Sequence, residues 1–246
     1  MMATREPIKI AAVGDLHVKM TDKGKWKNYF EEISNIADVL LICGDLTDTG
    51  DEEEAHILAE ELHALHIPAV GVLGNHDYEK GRQKLIRQML STSNFQLLDG
   101  ESVVIKDTGF AGVKGFGGGF DRYMLSMFGE DAMKAFVQES VDESMQLDRS
   151  LARLEQEYPE IPKIALLHYS PTAETVQGEP VEIFPFLGSS LLAEPLIRRQ
   201  VSAVFHGHAH AGQLIGSLSE NLAVYNVALP VLKKHQQEKE FFMVEI

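Results

Sequence analysis

The sequence predicts an α/β fold, because short apolar runs of strand length alternate with amphipathic helical stretches and the runs close on glycine followed by acids or histidines. The clearest run is Leu40-Leu41-Ile42-Cys43-Gly44-Asp45-Leu46-Thr47-Asp48, apolar residues ended by a glycine and two acids. It reads as a buried strand whose first polar residue emerges at the C-terminal end, where open α/β sheets place their ligands. With 246 residues, 44% of them hydrophobic, the chain suits one large core better than two full-sized domains. The expectation is a single domain over 1–246 with one insertion.

Residues 8–13, Ile-Lys-Ile-Ala-Ala-Val, predict the first strand, which stops at Gly14-Asp15-Leu16-His17. Trp26, Tyr29, Phe30, Ile33 and Ile36 fall at helical spacing over 25–37, and a second strand follows at 39–43. Four acids open the segment 51–66 and favour a helix N-terminus, with Ile57, Leu58, Leu62 and Leu65 on one face before Pro68. A strand at 69–73 delivers Asn75-His76-Asp77, and a helix over 79–90 turns Leu85, Ile86 and Met89 inward. Short runs at 95–98, 102–106 and 110–113, separated by turn residues, predict antiparallel additions.

Gly115-Phe116-Gly117-Gly118-Gly119-Phe120 predicts a loop and 130–157 a long charged helix, so that 115–157 reads as a helical insertion. A strand at 163–167 ends at His168. Residues 169–187 carry Pro171, Gly178, Pro180 and Pro185 without strand or helix period, the mark of a lid loop. A helix at 189–199 leads to a strand at 201–205 that ends in His206-Gly207-His208-Ala209-His210, and strands at 213–217, 222–228 and 241–246 follow.

The balance of 22 Lys and Arg against 37 Asp and Glu, a net charge of -15, repels phosphate backbones and anionic lipid surfaces, which argues against nucleic acid as a partner. The only cysteine, Cys43, lies inside an apolar strand, so no intrachain disulfide forms and the thiol reads as core filler. Residues 1–8 lack the apolar stretch of a signal peptide, and no run approaches the ~18 residues of a membrane span. The expectation is a soluble, cytoplasmic protein.

Five predicted strands end in metal-type ligands: Asp15 with His17, Asp45, Asn75, His168, and His208 with His210. Carboxylates, imidazoles and an amide oxygen together suit borderline divalent ions such as Mn, Fe, Co, Ni or Zn, whereas Mg or Ca would call for all-oxygen shells. Seven ligands exceed one tetrahedral site and suit two ions sharing a central carboxylate. Two ions roughly 3.5 to 4 Å apart clamp the attacking and leaving oxygens of an in-line displacement at phosphorus.

The ordered set Asp15-x-His17, Gly44-Asp45-x-x-Asp48, Gly74-Asn75-His76-Asp77, His168 and Gly207-His208-x-His210 resembles the calcineurin-like metallophosphoesterase superfamily over about residues 8–230. The resemblance implies a four-layer α-β-β-α sandwich of two mixed β-sheets flanked by helices. It implies that Asp15, His17, Asp45 and His210 hold one metal and Asp45, Asn75, His168 and His208 the other, with Asp45 as bridge. A hydroxide shared by the ions would be the nucleophile, since metal binding lowers the pKa of water to roughly 7 in some zinc sites. His76, off the metals, would stabilise the phosphoryl oxygens and protonate the leaving alkoxide, and the Asp48 carboxylate would orient His76.

Thr49-Gly50 stand where protein Ser/Thr phosphatases carry Arg, Asp48 stands where purple acid phosphatases place a tyrosine ligand, and His76 stands where lipid A precursor hydrolases have Arg. The expected activity is therefore hydrolysis of a small phosphomonoester or phosphodiester, nucleotide or cyclic nucleotide among them. The alternatives are a nuclease of the same superfamily and a catalytically inactive metal-binding scaffold. Nothing in the residues indicates an oligomeric state.

His206 alternates with His208 and His210, and only the family pattern selects the latter pair. Asp77 reads either as a turn and N-cap acid before the 79–90 helix or as a support near His76. Tyr169, Arg122, Tyr123 and Lys19 are candidates for substrate contact. His56, His63, His66 and His235 read as surface histidines, and 51–54 as a solvated first helical turn.

Overall fold

In a computed structural model, described over residues 6–91, 94–235 and 239–246, two mixed β-sheets pack face to face with helices outside. The first five residues of the stretch read for a signal peptide lie outside the described residues. The elements run β1 (Lys9–Val13), α1 (Lys27–Ser34), β2 (Val39–Cys43), α2 (Glu52–Glu61), β3 (Ala69–Val72), α3 (Gln83–Leu90) and β4 (Phe95–Leu97). Then come β5 (Glu101–Ile105), β6 (Thr108–Gly112), α4 (Asp131–Glu157), β7 (Lys163–Leu166), α5 (Phe184–Leu187) and α6 (Ala193–Arg198). The chain finishes with β8 (Ala203–His206), β9 (Ile215–Ser219), β10 (Leu222–Asn226), α7 (Leu229–His235) and β11 (Phe242–Glu245).

The first sheet has the order β11-β1-β2-β3-β4, the second β5-β6-β7-β8-β10-β9. Strands β1 to β4 are mutually parallel, with β11 antiparallel at the edge, and β6, β7, β8 and β10 are parallel between two antiparallel outer strands. The alternation of side chains along a strand sorts them between two cores. Phe110, Ile164, Leu166, Ala203 and Phe205 face the first sheet and join the core that Ile10, Leu41 and Ile42 help to build. Their neighbours Ala111, Ala165 and Val204 face outward and pack under Leu147, Leu151 and Leu154 of α4. On the far side, Phe30, Ile33, Ile57, Leu58, Ile86 and Leu90 of α1 to α3 cover the first sheet.

The 51–54 acids do more than sit in solvent. Asp51 caps α2 by accepting from the Glu53 N–H, and Glu54 completes a capping box. Helix α4 is tied to the loop after β6 by a buried ion pair, Lys114 Nζ to Glu143 Oε1 at 2.9 Å, and by the Gly115 N–H donated to Glu143 Oε2 at 2.9 Å.

Several expectations change, among them the lid stretch 169–187, which closes on the short helix α5. Strand β4 pairs parallel with β3, because α3 carries the chain back over the sheet and a helical crossover returns it in the same direction. Helix α3 begins at Gln83, after a 3-10 turn at His76–Tyr78, and its inner face is Ile86 and Leu90, which leaves Leu85 40% exposed. The segment 229–235, for which the sequence predicts no element, is helical: Pro230 sits in the first turn, where its missing N–H costs nothing. Asp77 caps no helix, since α3 starts from Arg82.

Asp77 is instead a buried staple between the loops after β2 and β3. It accepts from Gly74 N–H at 2.8 Å, Leu46 N–H at 3.2 Å, Thr47 N–H at 2.9 Å and the Thr47 hydroxyl at 2.6 Å. Asp77→Ala would strand these donors in the interior, at a cost of about 3 to 5 kcal/mol. Urea unfolding is expected to show that loss, and a change under about 1 kcal/mol would contradict the staple.

Candidate metal centre

The site is built where the C-terminal edges of the two sheets meet. Asp15, Asp45 and Asn75 follow β1, β2 and β3, adjacent in the first sheet, and His168 and His208 follow β7 and β8, adjacent in the second. Their backbone is strained. Of the eight non-glycine residues with positive φ among the described residues, four are Asp15, His17, Asp45 and His208, at 60°, 44°, 48° and 69°. Left-handed backbone at side-chain-bearing residues persists only where its surroundings enforce it, and such positions cluster at functional sites.

Two glycines make room for the convergence. A Cβ at Gly44, where φ is +83°, would overlap the His168 ring, and one at Gly74 would overlap the Asp45 carboxylate. Each motif glycine thus admits a ligand-type side chain from another part of the chain.

Three groups of side chains bring their ligand-type atoms within 4.8 Å of one another: Asp15, His17 and His210; Asp45, His168 and His208; and His17, Asp45 and His76. His210 Nε2 lies 2.9 Å from Asp15 Oδ1, and the Asp15 oxygens accept from the His208 N–H at 3.0 and 3.1 Å. His168 Nε2 lies 2.8 Å from Asn75 Oδ1 and 3.4 Å from Asp45 Oδ1. Asp45 accepts from the His76 N–H at 2.8 Å and lies 3.7 Å from His17 Nε2.

Carbonyl partners fix three of the ring tautomers. A carbonyl oxygen only accepts, so the nitrogen facing it carries the proton. His168 Nδ1 faces the Cys43 carbonyl at 3.0 Å, His208 Nε2 faces Phe186 at 3.0 Å, and His76 Nδ1 faces Asp48 at 2.7 Å. In His208 this leaves Nδ1 with its lone pair, and in His168 it turns the Nε2 lone pair toward Asn75 Oδ1 at 2.8 Å, two electron-pair donors that a cation between them would bridge, while His76 keeps Nε2 as the nitrogen away from the Asp48 carbonyl. This is the arrangement by which metal-ligating histidines are oriented.

His17 is the test of fit for a metal. Both its ring nitrogens are buried and neither has a hydrogen-bond partner, a costly state unless something else engages them. Burial holds the pKa of His17, His168 and His208 below the usual imidazole range, favouring the neutral form that binds cations. His210 goes the other way, raised by its hydrogen bond with Asp15. Asp45 is pushed up by burial and then by Asp15 and Asp77, so its charged form wants a cation. In Asp15 burial also pushes upward, but the His210 hydrogen bond and the neighbouring imidazoles prevail and lower it.

Asp48 departs from expectation. Its contact with the His76 ring is through its backbone carbonyl, while its carboxylate lies 3.8 Å from His17 Nδ1 and 3.7 Å from Lys19 Nζ. Tyr169 packs its ring 4.4 Å from that of His208. Arg122 folds onto Tyr123, its guanidinium 4.7 Å from the ring centroid and donating to the hydroxyl at 2.6 Å. His206 stands outside all three groups, buried, with Nδ1 at the Gly207 carbonyl and Nε2 at Thr175 Oγ1, both at 2.8 Å, so it ties β8 to the 169–187 stretch. His56, His63, His66 and His235 are exposed. The carbonyls of Cys43 and Phe186 are contacts the sequence did not disclose, because a backbone group leaves no residue-type signal.

The family model described as calcineurin-like phosphoesterase matches residues 8–212. The chain belongs to that family, and in class it is a metal-dependent phosphoesterase. Its fold is similar to that of phosphopantetheinyl hydrolase from Mycobacterium tuberculosis, with TM-score 0.69, 15% identity, and 98% of this chain and 97% of that one covered. It is also similar to TT1561 of Thermus thermophilus, with TM-score 0.61, 15% identity and coverage of 97% and 98%. A putative 5'-nucleotidase from Staphylococcus aureus aligns at TM-score 0.53 and 14% identity, over 89% of this chain and 48% of that one. No curated protein matches the sequence. Among the described residues no helix is long and apolar enough to cross a membrane.

A cation seated among these side chains stabilises the folded state by mass action, about 2.7 kcal/mol at a hundredfold excess over Kd. Chelation is therefore expected to lower Tm by roughly 5 to 10 °C and manganese to restore it. A melting curve indifferent to both would contradict the metal reading.

Proposed function

We infer that this chain hydrolyses a small phosphomonoester or phosphodiester at a centre of two divalent ions. Asp15, His17 and His210 would hold one ion, Asn75, His168 and His208 the other, and Asp45 both. The observation that carries the reading is His17, whose two buried ring nitrogens lack hydrogen-bond partners in the midst of Asp15, Asp45, His76 and His210. The donor set of carboxylate, imidazole and amide oxygen suits Mn, Fe, Co, Ni or Zn. When bound, the ions supply Lewis-acid polarisation of the phosphoryl group and a nucleophilic water near neutral pH.

The remaining work falls to the chain. With Nδ1 pinned by the Asp48 carbonyl, His76 exchanges protons through Nε2, which suits it to donate to the leaving oxygen. Its N–H to Asp45 couples the position of that imidazole to the shared carboxylate. The Asp48 carboxylate, facing His17, acts as a positioning group for that ring rather than for the His76 side chain. The net charge of -15 favours a small phosphoester over nucleic acid.

Manganese-loaded protein is expected to hydrolyse bis-p-nitrophenyl phosphate or p-nitrophenyl phosphate, and to lose the activity on chelation. His76→Ala is expected to lower kcat by about 10²- to 10⁴-fold with metal content unchanged. If the loaded protein turned over neither ester, the scaffold alternative would replace this reading. Asp48→Ala keeps the backbone carbonyl that holds His76. It is expected to cost less in kcat than His76→Ala and to weaken metal affinity about 10- to 100-fold, by metal titration of each variant. Equal kcat losses with unaltered affinity would return the Asp48 carboxylate to His76.

A further inference from the structure

An apolar cavity of about 430 Å³ opens between the 115–130 and 169–187 stretches, walled by Phe120, Tyr123, Val181, Phe184 and Pro185. That volume is in the range of small-molecule sites. Two connections join it to the candidate metal centre. Phe120, Ala173 and Phe184 from its walls pack in one cluster with Ala209, the residue between His208 and His210. Pro185 precedes Phe186, whose carbonyl holds the His208 ring.

The walls are fastened to each other. Gly118 N–H donates to the Pro185 carbonyl at 2.7 Å and Gly119 N–H to the Gly188 carbonyl at 2.9 Å, so the cavity is framed by backbone hydrogen bonds. Its lining includes Asp121 but no lysine or arginine, and Arg122, on the Tyr123 ring, spends its guanidinium on that side chain. Two of its walls, Tyr123 and Val181, are themselves exposed apolar side chains. Of the fourteen large hydrophobic side chains exposed among the described residues, eight fall in 123–133 and 181–186, with Phe128 80% and Phe186 58% exposed. Single exposed apolar residues are ordinary, but their concentration in and next to the two segments that wall the cavity is the mark of a binding surface.

We propose that this cavity takes an apolar substituent of the phosphoester, an alkyl or acyl chain, while the phosphorus lies at the centre formed by Asp15, Asp45 and the histidines. The proposal rests on the hydrolase reading above and adds the substrate class. The chain's apolar surface is removed from water against Phe120, Val181 and Phe184, and the phosphoester end is left to the polar groups beyond Ala209. The same chemistry is presented by a soluble alkyl phosphoester and by a lipid in a bilayer.

The test is a series of p-nitrophenyl alkyl phosphodiesters, methyl to octyl, given to manganese-loaded protein below micelle-forming concentrations. KM is expected to fall about two- to fourfold per methylene until the cavity is filled. Ala173→Phe, which fills the cavity, and Val181→Asp, which sets a carboxylate on its exposed wall, are each expected to flatten that dependence. The reading is the slope within each variant, and Val181→Asp serves if Ala173→Phe does not fold, since Val181 is 68% exposed. A further arm presents the octyl ester in phosphatidylcholine vesicles: a rate gain points to a lipid source, and its absence to a soluble one. A flat series with the methyl ester turned over, or a slope that survives in the variants, overturns the proposal and spares the hydrolase reading. If no ester is hydrolysed, the methyl ester included, the hydrolase reading itself falls and takes the proposal with it.

Discussion

Two buried carboxylates, Asp15 and Asp45, set the terms for everything around them. They are 2% and 1% exposed, at the junction of two sheets, and an uncompensated carboxylate in such a place costs several kcal/mol. The chain covers them in part, with the His208 N–H and His210 on Asp15 and the His76 N–H on Asp45. Glycines at 44 and 74 and left-handed backbone at the ligand-type residues bring the loops close enough for this. The unpartnered nitrogens of His17 mark the part that protein groups do not cover. A divalent cation would compensate both the acids and the imidazole, which would tie the family's chemistry to the stability of the fold.

In the proposed reading, substrate choice falls to other segments. The strand-end residues converge through regular sheet geometry, whereas the 115–130 and 169–187 stretches form the apolar walls beside the centre. Loops carried on a rigid scaffold are where specificity varies within a fold. The Phe186 carbonyl links the two systems, since it orients His208 and directly follows Pro185 of the cavity wall. A change in the apolar loop therefore reaches a candidate ligand through one hydrogen bond.

Much of the fold was legible because a buried parallel strand ending in glycine and a polar residue is a local pattern. Asp15, Asp45, Asn75 and His208 stand just past such strands and His168 past one that ends without a glycine, and the structure brings them together. What escaped depended on groups without a residue signature or on long-range partners. The orienting contact on His76 is a backbone carbonyl, so the acid at 48 suggested a side-chain role it does not fill on that ring. Asp77 could be read as a cap from its neighbours alone, yet its partners include Leu46 and Thr47, far back along the chain. The run at 95–98 looked like the start of an antiparallel meander because it is short and set off by turn residues from the runs that follow, and the parallel direction of β4 comes from the crossover through α3.

The central claim is that Asp45 is shared by two ions, and electron paramagnetic resonance of the manganese-loaded protein tests it most directly. A shared carboxylate places the two manganese ions close enough for their spins to couple. The account predicts an exchange-coupled spectrum that Asp45→Asn abolishes. The hyperfine pattern of isolated manganese in fully loaded protein, unchanged in that variant, would contradict it.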